Sequence, residues 1–143
     1  MQKNDSKFIT YLSNHTELDY KVIDELFVKN EDSFHVAQVL IDRHGIDSHF
    51  LGKIWGDYLG YAYVDPNSTI VNQDYINLLG LDFIKANHAI PLYKFGKAVT
   101  VSTAHPTSPF LQDKLEKKLK EIVSLVFCFP FDIDVYLRLN NLK

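Results

Sequence analysis

Six histidines are the first residues to weigh for chemistry, since imidazole both binds metals and exchanges protons near neutral pH. His44 and His49 form the closest suggestive pair, but Gly45 stops a helix between them, so they fall on different helices and miss the ligand spacing of one helical face. Neither a cysteine partner nor an HExxH pattern joins them, and no metal site is expected. His105-Pro106 follows a strand and precedes a turn, which fits a turn or capping role. The one cysteine, Cys128, sits in the apolar run Leu125-Val126-Phe127-Cys128-Phe129 and reads as a buried, inert thiol. A single cysteine excludes an intrachain disulfide and a cysteine-rich zinc site.

Nucleotide hydrolysis needs a glycine-rich loop whose N–H groups converge on phosphates beside a lysine and a hydroxyl residue. That pattern is missing, as are the GxSxG elbow and the kinase signatures. The carboxylates read as helix caps and solvated faces. Lys114, Lys117, Lys118 and Lys120 make a positive strip, but Asp113, Glu116 and Glu121 supply helical ion-pair partners among them. The strip is therefore a solvated helix face. The chain is not expected to be an enzyme, and no cofactor is expected.

The elements that must position any site follow from punctuation and periodicity. With 143 residues and 46% hydrophobic content, one folded unit with two lobes is within reach. A net charge of -3 leaves no positive field for a phosphate backbone, so nucleic acid is excluded as a general partner. The start, from Met1 to Lys7, is polar, and no apolar run approaches the roughly 20 residues that cross a bilayer. The expected location is the cytoplasm, without direct membrane insertion.

Residues 1–60 read as a helical lobe. Thr16 followed by Asp19 predicts an N-cap and a helix from about 17 to 29. Asp32 or Ser33 caps a second helix that Gly45 stops, and Asp47 or Ser48 opens a third that ends at Gly60. Residues 61–143 read as an α/β lobe. Tyr61 to Val64 is strand-like and ends at Asp65-Pro66. Short helices over Asn72 to Leu79 and Asp82 to Asn87 flank Gly80. Ala89 to Tyr93 and Ala98 to Thr103 form a hairpin around Gly96. Ser108-Pro109 starts an amphipathic helix lined by Leu111, Leu115, Leu119 and Ile122. Leu125 to Phe129 returns as a strand, Pro130 stops it, and Asp132 caps a last helix. The predicted class is α+β: a helical lobe, then a small, mainly antiparallel sheet of three to four strands packed on one or two helices.

Two segments carry a family resemblance. One is the helix-glycine-helix unit with Gly45, Ile46, Leu51 and Trp55 running into Leu59-Gly60-Tyr61-Ala62-Tyr63-Val64-Asp65. The other is Ile90-Pro91-Leu92, Gly96, and the run from Val99 to Ala104-His105-Pro106, with His105 where the family commonly has aspartate. Together they resemble the N-terminal domain of type II secretion and type IV pilus assembly ATPases, over about residues 8 to 137. The resemblance implies a regulatory or docking domain tethering a hexameric motor to the inner-membrane assembly platform. The motor's phosphate-binding loop is absent from these residues, as in an excised domain or a stand-alone relative.

Some members of the wider family bind cyclic di-GMP through two tandem copies of an Arg-Leu-Gly-x-x-Leu-like motif. Here the second copy falls on His35 to Leu59 and the first around Phe8 to Phe27, and both lack the arginine and the first glycine. The sequence reading therefore favours docking to a protein of the inner-membrane platform, which makes the chain peripheral at that membrane through its partner and a monomer in isolation. Aromatic residues dominate contact energy, so the candidate surface is Tyr58, Tyr61, Tyr63, Phe127, Phe129 and Phe131. The alternative is a cyclic di-GMP receptor with a degenerate motif, built on His35, Gln38, Arg43 and Gly45.

Overall fold

Asp32 and Asp47 set where two of the helices of the first sixty residues begin. In the computed structural model, which describes residues 6–142, the polar start expected over residues 1–5 lies outside the described residues. Helix α1 (Ser6–His15) is followed by α2 (Tyr20–Lys29), α3 (Ser33–Asp42) and α4 (Ser48–Leu59). Asp32 accepts from the Phe34 N–H at 2.9 Å and Asp47 from the Phe50 N–H at 2.9 Å, satisfying donors that have no partner inside a helix. Thr16, expected at the N-cap of α2, does not cap it. Its hydroxyl donates back to the Leu12 carbonyl at 2.8 Å, closing α1, and Asp19 takes the N-cap position. Gly60 ends α4 at φ +89, a conformation that glycine adopts without steric cost.

The chain divides into two compact units, one within 1–60 and one within 61–143. The first is helical, with Phe8, Leu12, Ile23, Leu40, Leu51 and Trp55 fully buried. Phe8 meets Trp55 edge-on with ring centroids 4.7 Å apart and Phe27 at 6.0 Å.

The second unit is α+β. It runs through a short 3-10 turn (Pro66–Ser68), α5 (Gln73–Leu79), α6 (Leu81–Asn87), β1 (Ala89–Phe95), β2 (Ala98–Thr103), α7 (Leu111–Leu119), β3 (Ile122–Phe127) and α8 (Pro130–Leu139). The sheet order is β1-β2-β3. The hairpin β1/β2 is antiparallel, but β2 and β3 pair in parallel from Ala98↔Ile122 to Thr103↔Phe127. The sheet is mixed where the sequence reading expects mainly antiparallel pairing. The reason is the crossover: a strand that returns through a helix such as α7 lies parallel to its neighbour. Val99, Val101 and Val123 are buried with Leu111, Leu115 and Leu119 of α7 in the core of this unit.

Four further expectations shift for local reasons. The strand expected over Tyr61 to Val64 contracts to one parallel bridge, Tyr63↔Phe127, because the Val64 carbonyl accepts from the Ser102 hydroxyl at 2.7 Å and the Asp65 turn then leads the chain away. Helix α7 begins after Ser108-Pro109, since the Ser108 N–H closes a turn onto the His105 carbonyl at 3.0 Å and Phe110 takes a left-handed φ of +68. Ile122 is not on the apolar side of α7: Lys120 ends that helix at φ +58, and Ile122 opens β3 with 61% of its surface exposed. The last strand spans Ile122–Phe127, so Pro130 is the first residue of α8 and Asp132 lies inside its first turn.

Side chains also blunt the outer edge of β3, where free N–H and C=O groups would invite pairing. Glu116 accepts from the Val123 N–H and Gln112 donates to the Val123 carbonyl, both at 2.9 Å. The Phe127 N–H and carbonyl pair with Ala62 and Val64 at 2.7 and 2.8 Å. At the other end of the sheet, Glu121 accepts from Tyr75 at 2.9 Å and from Lys94 at 3.1 Å. The bonds from Lys94 and then Tyr75 hold its carboxyl below the ordinary value of 4.5. A lowered carboxylate contributes stability that is present above its ordinary pKa and is lost as pH falls through the lowered one. Melting temperatures of the wild type should therefore drop more steeply below about pH 4.5 than those of Glu121→Gln, and parallel profiles would refute the assignment.

Candidate functional site

The turns that join the helices of the first unit repeat at one constant offset. Leu12 corresponds to Leu40, Asp19 to Asp47, Ile23 to Leu51 and Phe27 to Trp55. The two aspartates are N-caps and the apolar residues are buried. Glu17 in the first turn corresponds to Gly45 in the second, and both have positive φ, +26 and +70. The α1–α2 and α3–α4 hairpins are thus two copies of one plan.

Both turns line one open cleft of about 520 Å³, formed by His15, Thr16, Glu17, Leu18, His44, Gly45, Ile46, Asp47 and Phe50. Of the residues expected to meet a cyclic dinucleotide, Gly45 lines this cleft. His35, Gln38 and Arg43 are exposed and are not among its lining residues. Among the described residues the cleft offers two carboxylates, two imidazoles and no lysine or arginine. Sequence reasoning did not find His15, Glu17 and Asp47 as cleft residues; the equal spacing of Asp19 and Asp47 was the signal that points to them.

The aromatic candidates separate. Phe127 and Phe129, expected on an exposed partner face, are fully buried, because the end of β3 and the start of α8 run through the core. Tyr58 is half-buried against Phe8 and Tyr11, with ring centroids 4.8 and 5.2 Å away. Phe131 is half-buried and stacks on Phe129 at 4.7 Å, and Tyr61 is half-buried. Tyr63 is half-buried and donates its hydroxyl to Asp132 at 2.8 Å. Burial, reinforced by the Asp132 charge and hydrogen bond, pushes its phenol far above the ordinary value.

Asp132 is itself buried and also accepts from the Phe129 N–H at 3.0 Å. Its carbonyl accepts from Asn67 at 2.9 Å. The constellation clamps the first segment of the second unit to the start of α8, and the carboxylate is engaged in these bonds. Cys128 is buried, and burial raises its thiol well above the ordinary value, so it is no nucleophile at neutral pH. Among the described residues no group of three or more metal-ligating side chains comes together, and no helix is long and apolar enough to cross a membrane.

The sequence matches the MshEN domain over residues 59–140. No curated protein matches it. Among solved structures, the chain is similar to one titled "Structure of MshE with cdg", at a TM-score of 0.64 and 15% identity, covering 91% of this chain and 96% of that one. At that identity the likeness is one of fold.

Proposed function

Since the chain belongs to the MshEN domain family, the N-terminal domains of secretion ATPases, we propose that it is a non-catalytic docking and regulatory domain of a secretion or pilus assembly motor. It works in the cytoplasm, held at the inner membrane by a protein of the assembly platform. The observation that carries this reading is the family match over residues 59–140. The polar groups of that region agree with it, because Asp132, Tyr63 and Glu121 are engaged in structural bonds. Of the six aromatic candidates, Tyr61 and Phe131 on the second unit and Tyr58 on the first are half-buried and keep part of their rings exposed to a partner.

A second reading is favoured by the solved structure of MshE with cdg: the cleft between the two repeated turns would receive a cyclic dinucleotide. Its charge argues otherwise. A cyclic dinucleotide carries two phosphates, which arginine forks bind well, whereas Glu17 and Asp47 line this cleft. Calorimetric titration of the chain with cyclic di-GMP is therefore expected to give no saturable heat. Saturation in the micromolar range would replace docking by ligand sensing as the primary function. In parallel, the chain should capture the cytoplasmic part of the platform protein, and Phe131→Ala should weaken that capture by about tenfold. No capture by the wild type would refute the docking reading.

A further inference from the structure

The hairpin β1/β2 brings together two histidines that lie far apart in the sequence. Its last pair is Ala89↔Thr103, and His88 and His105 lie just beyond it. His88 caps α6 in a left-handed conformation, φ +46, with its N–H donating to the Ile84 carbonyl, and its own carbonyl accepts from the Ala104 N–H at 3.0 Å. The His105 N–H donates to the Thr103 hydroxyl at 3.1 Å, and its carbonyl accepts from Ser108. Both backbones are thus fixed from two sides. His88 Nδ1 and His105 Nε2 stand 3.2 Å apart, with ring centroids at 5.4 Å.

We propose that His88 and His105 form a two-histidine site for a divalent late transition metal ion, of the class of Cu²⁺ or Zn²⁺. An ion bound at about 2.0–2.1 Å by two imidazoles holds their nitrogens about 2.9 Å apart at a right angle and about 3.3 Å apart at the tetrahedral angle. The observed separation lies inside that interval. Neutral imidazole suits these ions, and binding replaces the contact between the two ring nitrogens, with each ring turning its lone pair toward the ion. No third ligating side chain joins them among the described residues, so water completes the coordination and the site is open. The proposal is independent of the docking reading, since it concerns neither the cleft nor the aromatic residues.

The test is titration of the full chain with Cu²⁺ and with Zn²⁺, followed by calorimetry and by amide NMR. Saturable one-to-one binding is expected, with the first resonances to respond at His88, Ala104 and His105. His88→Ala and His105→Ala should each weaken it by at least about tenfold, while His49→Ala leaves it unchanged. Circular dichroism checks that each variant folds, and the NMR localisation in the wild type needs no variant at all. Absence of saturable binding by either ion, first responses at other histidines, or undiminished affinity in His88→Ala would overturn the proposal.

Discussion

Asp132→Ala lowers the stability of the second unit by about 2–4 kcal/mol, because it strands two donors at once. The Tyr63 hydroxyl and the Phe129 N–H both point at this carboxylate, and a buried donor left without an acceptor costs about 1–3 kcal/mol. Asp132→Asn keeps one acceptor oxygen and should cost about half as much. Tyr63→Phe removes a donor together with its demand and should cost only about 1 kcal/mol. Urea denaturation of the three variants and of Tyr63→Phe/Asp132→Ala measures the coupling. If Asp132→Ala falls within about 0.5 kcal/mol of the wild type, the carboxylate is not the clamp described.

The residues that made the sequence readable are those whose chemistry acts locally. Asp32, Asp47 and Gly60 mark helix ends through one side-chain bond or one positive φ, and each lies where its type predicts, whereas Gly45, at φ +70, lies in the turn beyond the Arg43 C-cap of α3. The hairpin was legible for the same reason, since Gly96 at φ +62 serves a short turn between two strand-like runs. Long-range partners were not legible. Nothing between Val64 and Ser102 announces that a hydroxyl will take the carbonyl of a would-be strand, so Tyr61 to Val64 looked more regular than it is. The parallel β2/β3 pair was missed because the strand pattern of Ile122 to Phe127 is the same whichever way its neighbour runs. Phe127 and Phe129 failed as surface residues because an apolar run between two elements is as consistent with the core as with an interface. The His88–His105 contact depends on strand register, which periodicity does not supply.

In the helical unit the largest single loss is expected at Phe8. Its ring is fully buried and meets Trp55, Tyr58 and Phe27, so it joins α1 to both α2 and α4. Phe8→Ala removes that ring and leaves a cavity the helices cannot close, at a cost of about 3–5 kcal/mol. A unit of this size has little stability to lose, so the variant should be largely unfolded in residues 1–60 at 37 °C. Trp55 is the only tryptophan, and its fluorescence reports on this unit: a shift to the red without denaturant is the expected signal. The equivalent position in the second hairpin is Val36, also fully buried, and Val36→Ala deletes far fewer atoms, so its cost should be about 1–3 kcal/mol. Val28→Ala, on an exposed side chain, should change stability by less than about 0.5 kcal/mol. Equal midpoints for Phe8→Ala and Val28→Ala would show that the aromatic cluster does not hold the two hairpins together, and the cleft between their turns would then lack its support.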